Sequence, residues 1–228
     1  MSNIFAGIDI GLEQKRTSSV FILKEEGENI FPLESFRYNF NDIFGKEILK
    51  TLKPYLKDVK VIAIDSPLTI GRGKGKMRLF EKFFSKKNFK ESKINPVPPS
   101  FMPEVCKFSL TIRKKIENLG FVLDINLIET SFRLIDAFLY RFRFIREIEK
   151  ACKTENQRAA FLSAFVAYLH SKFKTRYIGY KDGFLFLPAL TFWKREWKRK
   201  FYLAWKERSI LKYRYLITNI FEDFDKKY

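Results

Sequence analysis

Two short apolar segments, each carrying an aspartate at its end, constrain the fold of this chain most. The first, "FAGIDIG", contains Asp9, and the second, "VIAIDSPL", reaches Asp65 just before Pro67. A strand that is apolar on both faces is typical of the centre of a sheet that is covered on both sides. A buried carboxylate is costly unless it is hydrogen-bonded, ion-paired or bound to a cation. The pattern therefore predicts two central strands whose aspartates need partners.

The segments around these two strands predict an α/β fold. Residues 18–24 and 30–38 have strand patterns separated by the turn "EEGEN", and residues 43–56 form an amphipathic helix pattern before the strand at 59–65. This order indicates an antiparallel meander followed by a crossover to a strand parallel to the first. With a fifth strand at residues 122–129, we expect a mixed five-stranded sheet flanked by helices.

The second half of the chain is mostly helical in pattern. Helices are predicted at about residues 103–119, 132–150 and 155–173, and "RYIGYKDGFLFLP" predicts a hairpin that turns at Asp182 and Gly183. From Thr191 onward the chain is basic and aromatic. We therefore expect a main domain over residues 1–190 and a helical extension over residues 191–228.

Three acidic residues end predicted strands and form the candidate site. If the first and fourth strands are parallel neighbours, Asp9 and Asp65 lie side by side at the edge where open α/β sheets bind ligands. Glu129, in "INLIET", ends the fifth strand. Like charges at such an edge repel unless a cation lies between them, and Mg²⁺ or Mn²⁺ accepts oxygen ligands without needing cysteine or histidine. The alternative is that each acid only caps the turn or helix that follows it.

Charge and cysteine content narrow the classes of partner and site. The chain has 44 Lys and Arg against 26 Asp and Glu, a formal net charge of +18, which favours nucleic acid as a partner. A lysine-rich, thermophilic proteome is the alternative explanation of this charge. Cys106 and Cys152 have no zinc-binding spacing. No apolar run is long enough to span a membrane, and the N-terminus enters a strand at once, so we expect a cytoplasmic protein without a membrane partner.

Two basic tracts are candidate nucleic-acid contacts. The first follows Asp65 directly, where positive charge beside an acidic edge would suit a phosphate backbone, although a solvated surface is the alternative. The second carries aromatic residues every fourth position between cations, which predicts either a base-stacking platform or a stripe packed on the main domain, on a protein partner or on a second copy of the chain. The candidate residues are Arg72, Lys74, Lys76 and Arg78 in the first tract, and Trp193, Lys194, Arg195, Trp197, Lys198 and Arg199 in the second.

Several motifs together resemble a known family. "FAGIDIG", "VIAIDSPL", "PPSFMP", "LIETSFRLIDAF", "AAFLSAFVAYL" and "GFLFLP" occur in this order over about residues 4–190. They resemble a family of predicted nucleases, catalogued as domain-of-unknown-function family four-two-nine, in the ribonuclease H-like superfamily and similar to RuvC-type resolvases. The resemblance implies hydrolysis of a phosphodiester with Mg²⁺ or Mn²⁺. It also implies that Asp9 bridges the metals, that Asp65 binds one of them, and that Glu129 lies at or near the site.

The chain departs from that family at one acidic position. The family's last helix usually carries an aspartate where this chain has Ala159, and Glu155 or Asn156, one turn earlier, is the nearest substitute. Losing one carboxylate from such a cluster weakens metal binding and hydrolysis. The resemblance therefore leaves open a working nuclease and a degenerate relative that binds nucleic acid, either DNA or RNA.

Two other function classes also remain open. A non-catalytic protein could dock a partner, or associate with itself, through the aromatic helix near the C-terminus. "GIDIG" also occurs in actin-like phosphotransferases, but those enzymes need two such domains, and residues 71–75 lack the P-loop pattern.

Overall fold

The computed structural model describes residues 3–13, 16–27, 29–38, 45–72, 76–90, 94–210 and 214–223. The predicted start of the first helix at residue 43, and Lys74, lie outside these ranges. The strands are β1 (Asn3–Glu13), β2 (Arg16–Glu26), β3 (Asn29–Arg37), β4 (Val59–Asp65), β5 (Leu127–Glu129), β6 (Thr175–Tyr180), β7 (Gly183–Pro188) and β8 (Ile217–Thr218). The α-helices are α1 (Lys46–Leu52), α2 (Leu79–Phe84), α3 (Lys87–Lys90), α4 (Pro103–Glu117), α5 (Phe132–Phe138), α6 (Arg143–Ala151), α7 (Glu155–Ser171) and α8 (Arg195–Lys206).

The larger sheet has the mixed topology that the strand patterns predict. Its order is β3-β2-β1-β4-β5, and β1, β2 and β3 form an antiparallel meander. The chain then crosses over through α1, so that β4 runs parallel to β1 and β5 runs parallel to β4. The central pair β1 and β4 is buried on both faces, which explains why both segments are apolar without alternation.

Helices cover both faces of this sheet. One face packs against α7, whose small side chains allow a very close approach to β1. A Cβ placed on Gly7 would lie 2.0 Å from the carbonyl oxygen of Ala160 and 2.2 Å from the amide nitrogen of Ala164. The other face packs against α1 and α4 through side chains that include Ile48, Phe108 and Ile112. Asp9 on β1 therefore lies beside a helix that is held against the sheet backbone.

Two predicted elements are shorter than expected, for local reasons. The predicted strand from residue 122 begins only at Leu127, because residues 122–126 form a turn in which Asp124 has a positive φ of 64°. The predicted helix over residues 132–150 is two helices. Leu139 leaves helical geometry to form a β-bridge with Trp193, and the amide of Lys194 donates to the carbonyl of Phe138.

The C-terminal segment belongs to the same hydrophobic core as the larger sheet. The hairpin of β6 and β7 turns where "KDG" predicts, and β8 pairs with β6 to complete a second sheet of order β7-β6-β8. From α8, Trp197 packs on Phe138, and Phe201 packs on Phe83 and Phe84. Both belong to the same hydrophobic cluster as the α7 face of the sheet. The two predicted segments, 1–190 and 191–228, therefore share one core in the described part of the chain. No helix among the described residues is long and apolar enough to cross a membrane.

Candidate functional site

The centre of the site is the pair Asp9 and Asp65. Asp65 ends β4, but β1 continues past Asp9 to Glu13, with an irregularity in its pairing after Asp9, so the prediction that Asp9 ends its strand is wrong. Asp9 and Asp65 are direct partners in the parallel pairing of these strands. Residues in register on neighbouring strands point to the same face, and such strands lie about 4.8 Å apart. Asp9 is 1% exposed and Asp65 is half-buried. The side-by-side placement that the sequence predicts is therefore what the fold contains, on the face covered by α7.

Backbone and amide donors hold both carboxylates in place. The side-chain amide of Asn156, in the first turn of α7, donates to Oδ2 of Asp9 at 2.7 Å and to the carbonyl oxygen of Thr17 at 2.9 Å. The backbone amide of Phe132, at the start of α5, donates to Oδ1 of Asp65 at 3.0 Å. The beginnings of two helices thus orient the acidic pair.

Of the α7 residues that the resemblance singles out, Asn156 is the one that contacts Asp9. Ala159, which stands at the family's aspartate position, is 1% exposed and packs in the core. Asn156 shares a helix face with Ala160 and Ala164, at spacings of four residues, and that face lies over β1. Glu155, predicted as a substitute metal ligand, is exposed to solvent instead. The residue nearest to Asp9 on α7 is therefore a neutral amide.

Glu129 lies near Asp65, with which it lines one small pocket, but its side chain is on the opposite face of the sheet from the two aspartates. It pairs in register with Ile64, one residue before Asp65, so its side chain leaves the opposite face of the sheet. Thr130 follows it beside Asp65, with its amide bonded to the carbonyl of Ile64 and its hydroxyl 3.2 Å from that of Ser163. Within the described ranges, no group of three or more His, Cys, Asp and Glu side chains is arranged to hold a metal ion.

Glu129 belongs to a buried charge cluster built around Arg78. The guanidinium of Arg78 is 2.5 Å from Oε2 of Glu129 and 2.5 Å from Oε1 of Glu81. The amide of Leu68 also donates to Glu129, at 2.7 Å. Because Arg78 is 1% exposed and is held by two carboxylates, it is not a surface contact for a phosphate backbone, and that prediction is wrong.

The buried cluster has one more carboxylate than cation, which changes the proton affinity of its acids. Burial raises the pKa of Glu129 to about 7 and also raises the pKa of Glu81, although the guanidinium of Arg78 acts in the opposite direction on both. In a buried site, desolvation of a charged carboxylate outweighs the attraction when two acids share one cation. The cluster therefore takes up a proton close to neutral pH.

This raised pKa predicts a pH dependence of stability. Below about pH 4.5 the Glu129 carboxyl is protonated in both the folded and the unfolded chain, and its contribution to stability is fully present. That contribution is lost as the pH rises to about 7, and amounts to on the order of 3 kcal/mol. We expect Glu129→Gln to flatten the free energy of unfolding between pH 4.5 and 7, as measured by urea denaturation.

A surface carboxylate provides the control for this measurement. Glu147, which pairs with Arg143 on the surface of α6, is exposed, so Glu147→Gln should leave the pH profile unchanged. A Glu129→Gln profile as steep as that of the wild type would contradict the assignment of the proton uptake to the buried cluster.

The remaining predicted cations lie on the surface, but the tryptophans between them do not. Arg72 and Lys76 are exposed on the connection between β4 and α2. On and just before α8, Arg195 and Arg199 are exposed, while Lys194 and Lys198 are half-buried. Lys74 lies outside the described residues. Both predicted basic tracts therefore present cations to solvent.

The predicted stacking role of Trp193 and Trp197 is wrong, because neither ring is accessible to a base. Trp193 is 3% and Trp197 is 6% exposed. Both pack against Phe138, with ring centroids 4.4 Å and 5.0 Å from it, and the indole nitrogen of Trp193 donates to the carbonyl of Pro188. The alternative interpretation, an aromatic stripe packed on the main domain, describes them.

A small pocket opens beside Asp65 at the carboxyl end of the sheet. It holds about 70 Å³ and is lined by Asp65, Glu129, Ser131 and Arg133, together with a proline-rich loop. This volume admits a few waters or a hydrated ion but not a nucleotide. The buried hydroxyl of Ser66 also lines the pocket and has no hydrogen-bond partner among the described residues. Sequence patterns did not point to the hydroxyl groups at this edge.

Comparison with known proteins returned no match to a family model, to a curated protein or to a solved structure. The class of this protein is therefore defined by its own fold and site. It is an α/β protein with a five-stranded mixed sheet flanked by helices. Two carboxylates lie in register on its central parallel strands, at the point where β4 ends.

Proposed function

We propose that this protein is a ribonuclease H-like protein that binds nucleic acid at the edge carrying Asp9 and Asp65. One Mg²⁺ or Mn²⁺ ion would lie between these two carboxylates, and phosphodiester hydrolysis would be slow or absent. The observation that supports this most strongly is the direct register of Asp9 with Asp65 on neighbouring parallel strands. The mixed meander-and-crossover sheet is consistent with the proposed superfamily.

The donors at this edge suit one divalent cation. Two neighbouring carboxylates repel each other, and oxygen ligands of this type match Mg²⁺ and Mn²⁺. The donors for a second ion are missing among the described residues, because Asn156 contributes an amide and Glu129 is neutralised by Arg78. A bound ion would supply stabilisation of charge on a phosphoryl oxygen. In the chain itself, Asn156 and the Phe132 amide orient the carboxylates.

Positive charge around this edge supports nucleic acid as the ligand. The chain carries a net charge of +18, and Arg72 and Lys76 are exposed on the loop that follows β4. Arg133 is exposed and lines the pocket that contains Asp65. Contacts between such cations and phosphates weaken as salt rises, so binding that is insensitive to salt would argue against this ligand.

The metal site is tested by thermal unfolding with and without Mg²⁺ or Mn²⁺. Because a ligand that binds only the folded state raises its stability, we expect millimolar metal to raise the melting temperature of the wild type. Asp9→Asn and Asp65→Asn should each remove this increase, whereas Glu155→Gln, at an exposed position, should keep it. An equal increase in all four proteins would contradict a site between Asp9 and Asp65.

Hydrolysis is tested by restoring a carboxylate. Asn156→Asp places a third acid next to Asp9, and we expect it to increase Mn²⁺-dependent cleavage of labelled oligonucleotides by about tenfold or more. Ala159→Asp is the comparison, since its side chain would be buried in the core without a partner and should mainly destabilise the fold. Cleavage that survives both Asp9→Asn and Asp65→Asn would show that another site, or a contaminant, is responsible.

Docking of a partner through α8 is less well supported. The aromatic residues that suggested it, including Trp197 and Phe201, are used in the chain's own core. The outer face of α8 still exposes Tyr202 at 42% and Leu203 at 45%. Scattered exposed apolar side chains are normal on a protein surface, so they do not indicate a partner by themselves.

A further inference from the structure

Phe101 is an exposed aromatic residue on a rigid loop beside the candidate site. It is 78% exposed and lies at the end of the turn Pro99–Phe101. The loop from residue 96 to residue 103 contains four prolines, which fix their φ angles. The amide of Phe101 donates to the carbonyl of Pro98 at 3.0 Å. The ring is therefore held out in solvent by a stiff backbone rather than by a mobile one.

The proline loop is a wall shared by two cavities. On one side it lines the small pocket with Asp65 and Arg133. On the other side, Pro99, Ser100 and Pro103 line an open groove of about 630 Å³. A volume of this size is typical of sites for small molecules and accommodates a nucleotide, which the small pocket does not. Phe101 itself lines neither cavity, but its chain neighbours do: Ser100 lines the groove and Met102 lines the small pocket, so its exposed ring projects from the wall between them.

The open groove is strongly positive. Lys76, Lys107 and Lys114 line it and are exposed, and none of the three forms an ion pair with a described residue. Glu104 is the one carboxylate among its described lining residues. Unpaired lysines in a groove attract an anionic ligand, and a polyanion can contact several of them at once.

We propose that Phe101 stacks against an unpaired base of a single-stranded nucleic acid while the groove lysines hold the adjoining phosphates. This inference rests on the proposed nucleic-acid-binding function and adds the strand structure of the ligand. A single ring can stack on a base only when the face of that base is free, as in a single strand, a loop or a strand end. Base stacking tolerates any sequence because each base has an aromatic face.

Substitution of Phe101 tests the stacking. We expect Phe101→Ala to weaken binding of fluorescently labelled single-stranded DNA or RNA by about tenfold, and binding of a duplex by less than about twofold. Phe101→Trp should retain the affinity, whereas Phe101→Leu should lose it because leucine is apolar without an aromatic face. Fluorescence anisotropy titrations at one fixed salt concentration measure all of these affinities.

Phe173 offers a matched control. It is 89% exposed, but it follows the end of α7, whereas the first turn of α7 lies at Asp9. A helix of 17 residues places these ends about 25 Å apart. Phe173→Ala should therefore bind like the wild type. Lys107→Gln and Lys114→Gln should each reduce the salt dependence of binding by roughly one phosphate contact.

The possible outcomes separate this inference from the proposed function. If the wild type binds no nucleic acid in a salt-dependent way, both are wrong. The stacking role alone is wrong in two cases. In the first, Phe101→Ala binds single strands as tightly as the wild type does. In the second, it loses affinity for single strands and for duplex to the same extent. A third outcome is that the wild type sediments with anionic lipid vesicles, whereas Phe101→Ala does not and still binds single strands normally. This result would assign Phe101 to a membrane surface and overturn the proposal.

Discussion

Replacing Arg78 by methionine is expected to lower the free energy of unfolding at pH 7 by about 3–5 kcal/mol, because Glu81 and Glu129 would remain buried without their cation. Urea denaturation followed by far-ultraviolet circular dichroism measures this loss. The loss should be smaller at pH 5, where the carboxyl of Glu129, whose pKa is raised to about 7, is protonated and needs no cation. Such an effect is among the largest that one substitution produces.

Two comparisons separate the buried charge from a simple loss of packing. Arg143→Met removes a cation whose pair with Glu147 lies on the surface, and it should cause no measurable change. Adding Glu81→Gln and Glu129→Gln to Arg78→Met should recover most of the lost stability, since no uncompensated charge then remains. A triple variant as unstable as Arg78→Met alone would mean that the guanidinium acts mainly through packing.

Gly7→Ala is expected to lower the free energy of unfolding by about 3 kcal/mol or more. The added methyl group would meet two backbone atoms, the carbonyl oxygen of Ala160 and the amide of Ala164, and neither can rotate away. The helix α7 must then move off β1, which also withdraws Asn156 from Asp9. We therefore expect a weaker increase in melting temperature with Mg²⁺ or Mn²⁺ than in the wild type.

Gly27→Ala is the control for this substitution. Gly27 has a positive φ of 61° and nothing lies within 4 Å of its added Cβ, so the variant suffers only the backbone strain of about 1–2 kcal/mol. If the free energy of unfolding of Gly7→Ala were as high as that of Gly27→Ala, the backbone of α7 could not lie in direct contact with Gly7.

The central part of the fold follows from local sequence patterns. Strands β1 and β4 are apolar on both faces, and the short link "EEGEN" allows only a hairpin, so the meander and the parallel neighbour are predictable. The same patterns place Asp9 and Asp65 together. The small residues of α7 indicate close packing, although only the fold shows that Gly7 is the point of contact.

The third acid could not be placed from the sequence, for a physical reason. Leu127 and Ile128 are both buried, so no alternation of apolar and polar residues shows which face Glu129 leaves. Which side chains face which side of the sheet depends on the residue at which β5 begins. The turn at Asp124, with its positive φ, makes the strand begin later than the sequence predicts. A one-residue shift in such a strand moves every side chain to the other face, and here it separates Glu129 from the aspartates.

Burial of Arg78 and of the tryptophans depends on long-range packing. Arg78 lies in a run of basic residues, which predicts a solvent-exposed segment. The one local signal of a buried partner is Glu81, three residues later. The aromatic spacing around Trp193 and Trp197 predicts a helix face but not what covers it. Phe138, which packs against both rings, comes from a distant part of the chain. Periodicity alone cannot distinguish such a buried stripe from an exposed one.

The shared core has a consequence for how this chain is made. Phe5 and Ala63 leave the ribosome early, but the residues that cover them arrive much later, with α7, and Phe201 and Ile220 complete the same cluster. Domains usually fold as units during synthesis, and contacts between distant residues slow folding. A nascent chain that ends before α7 leaves the apolar faces of β1 and β4 without the helix that covers them. We therefore expect its maturation to depend on chaperones until translation is nearly finished.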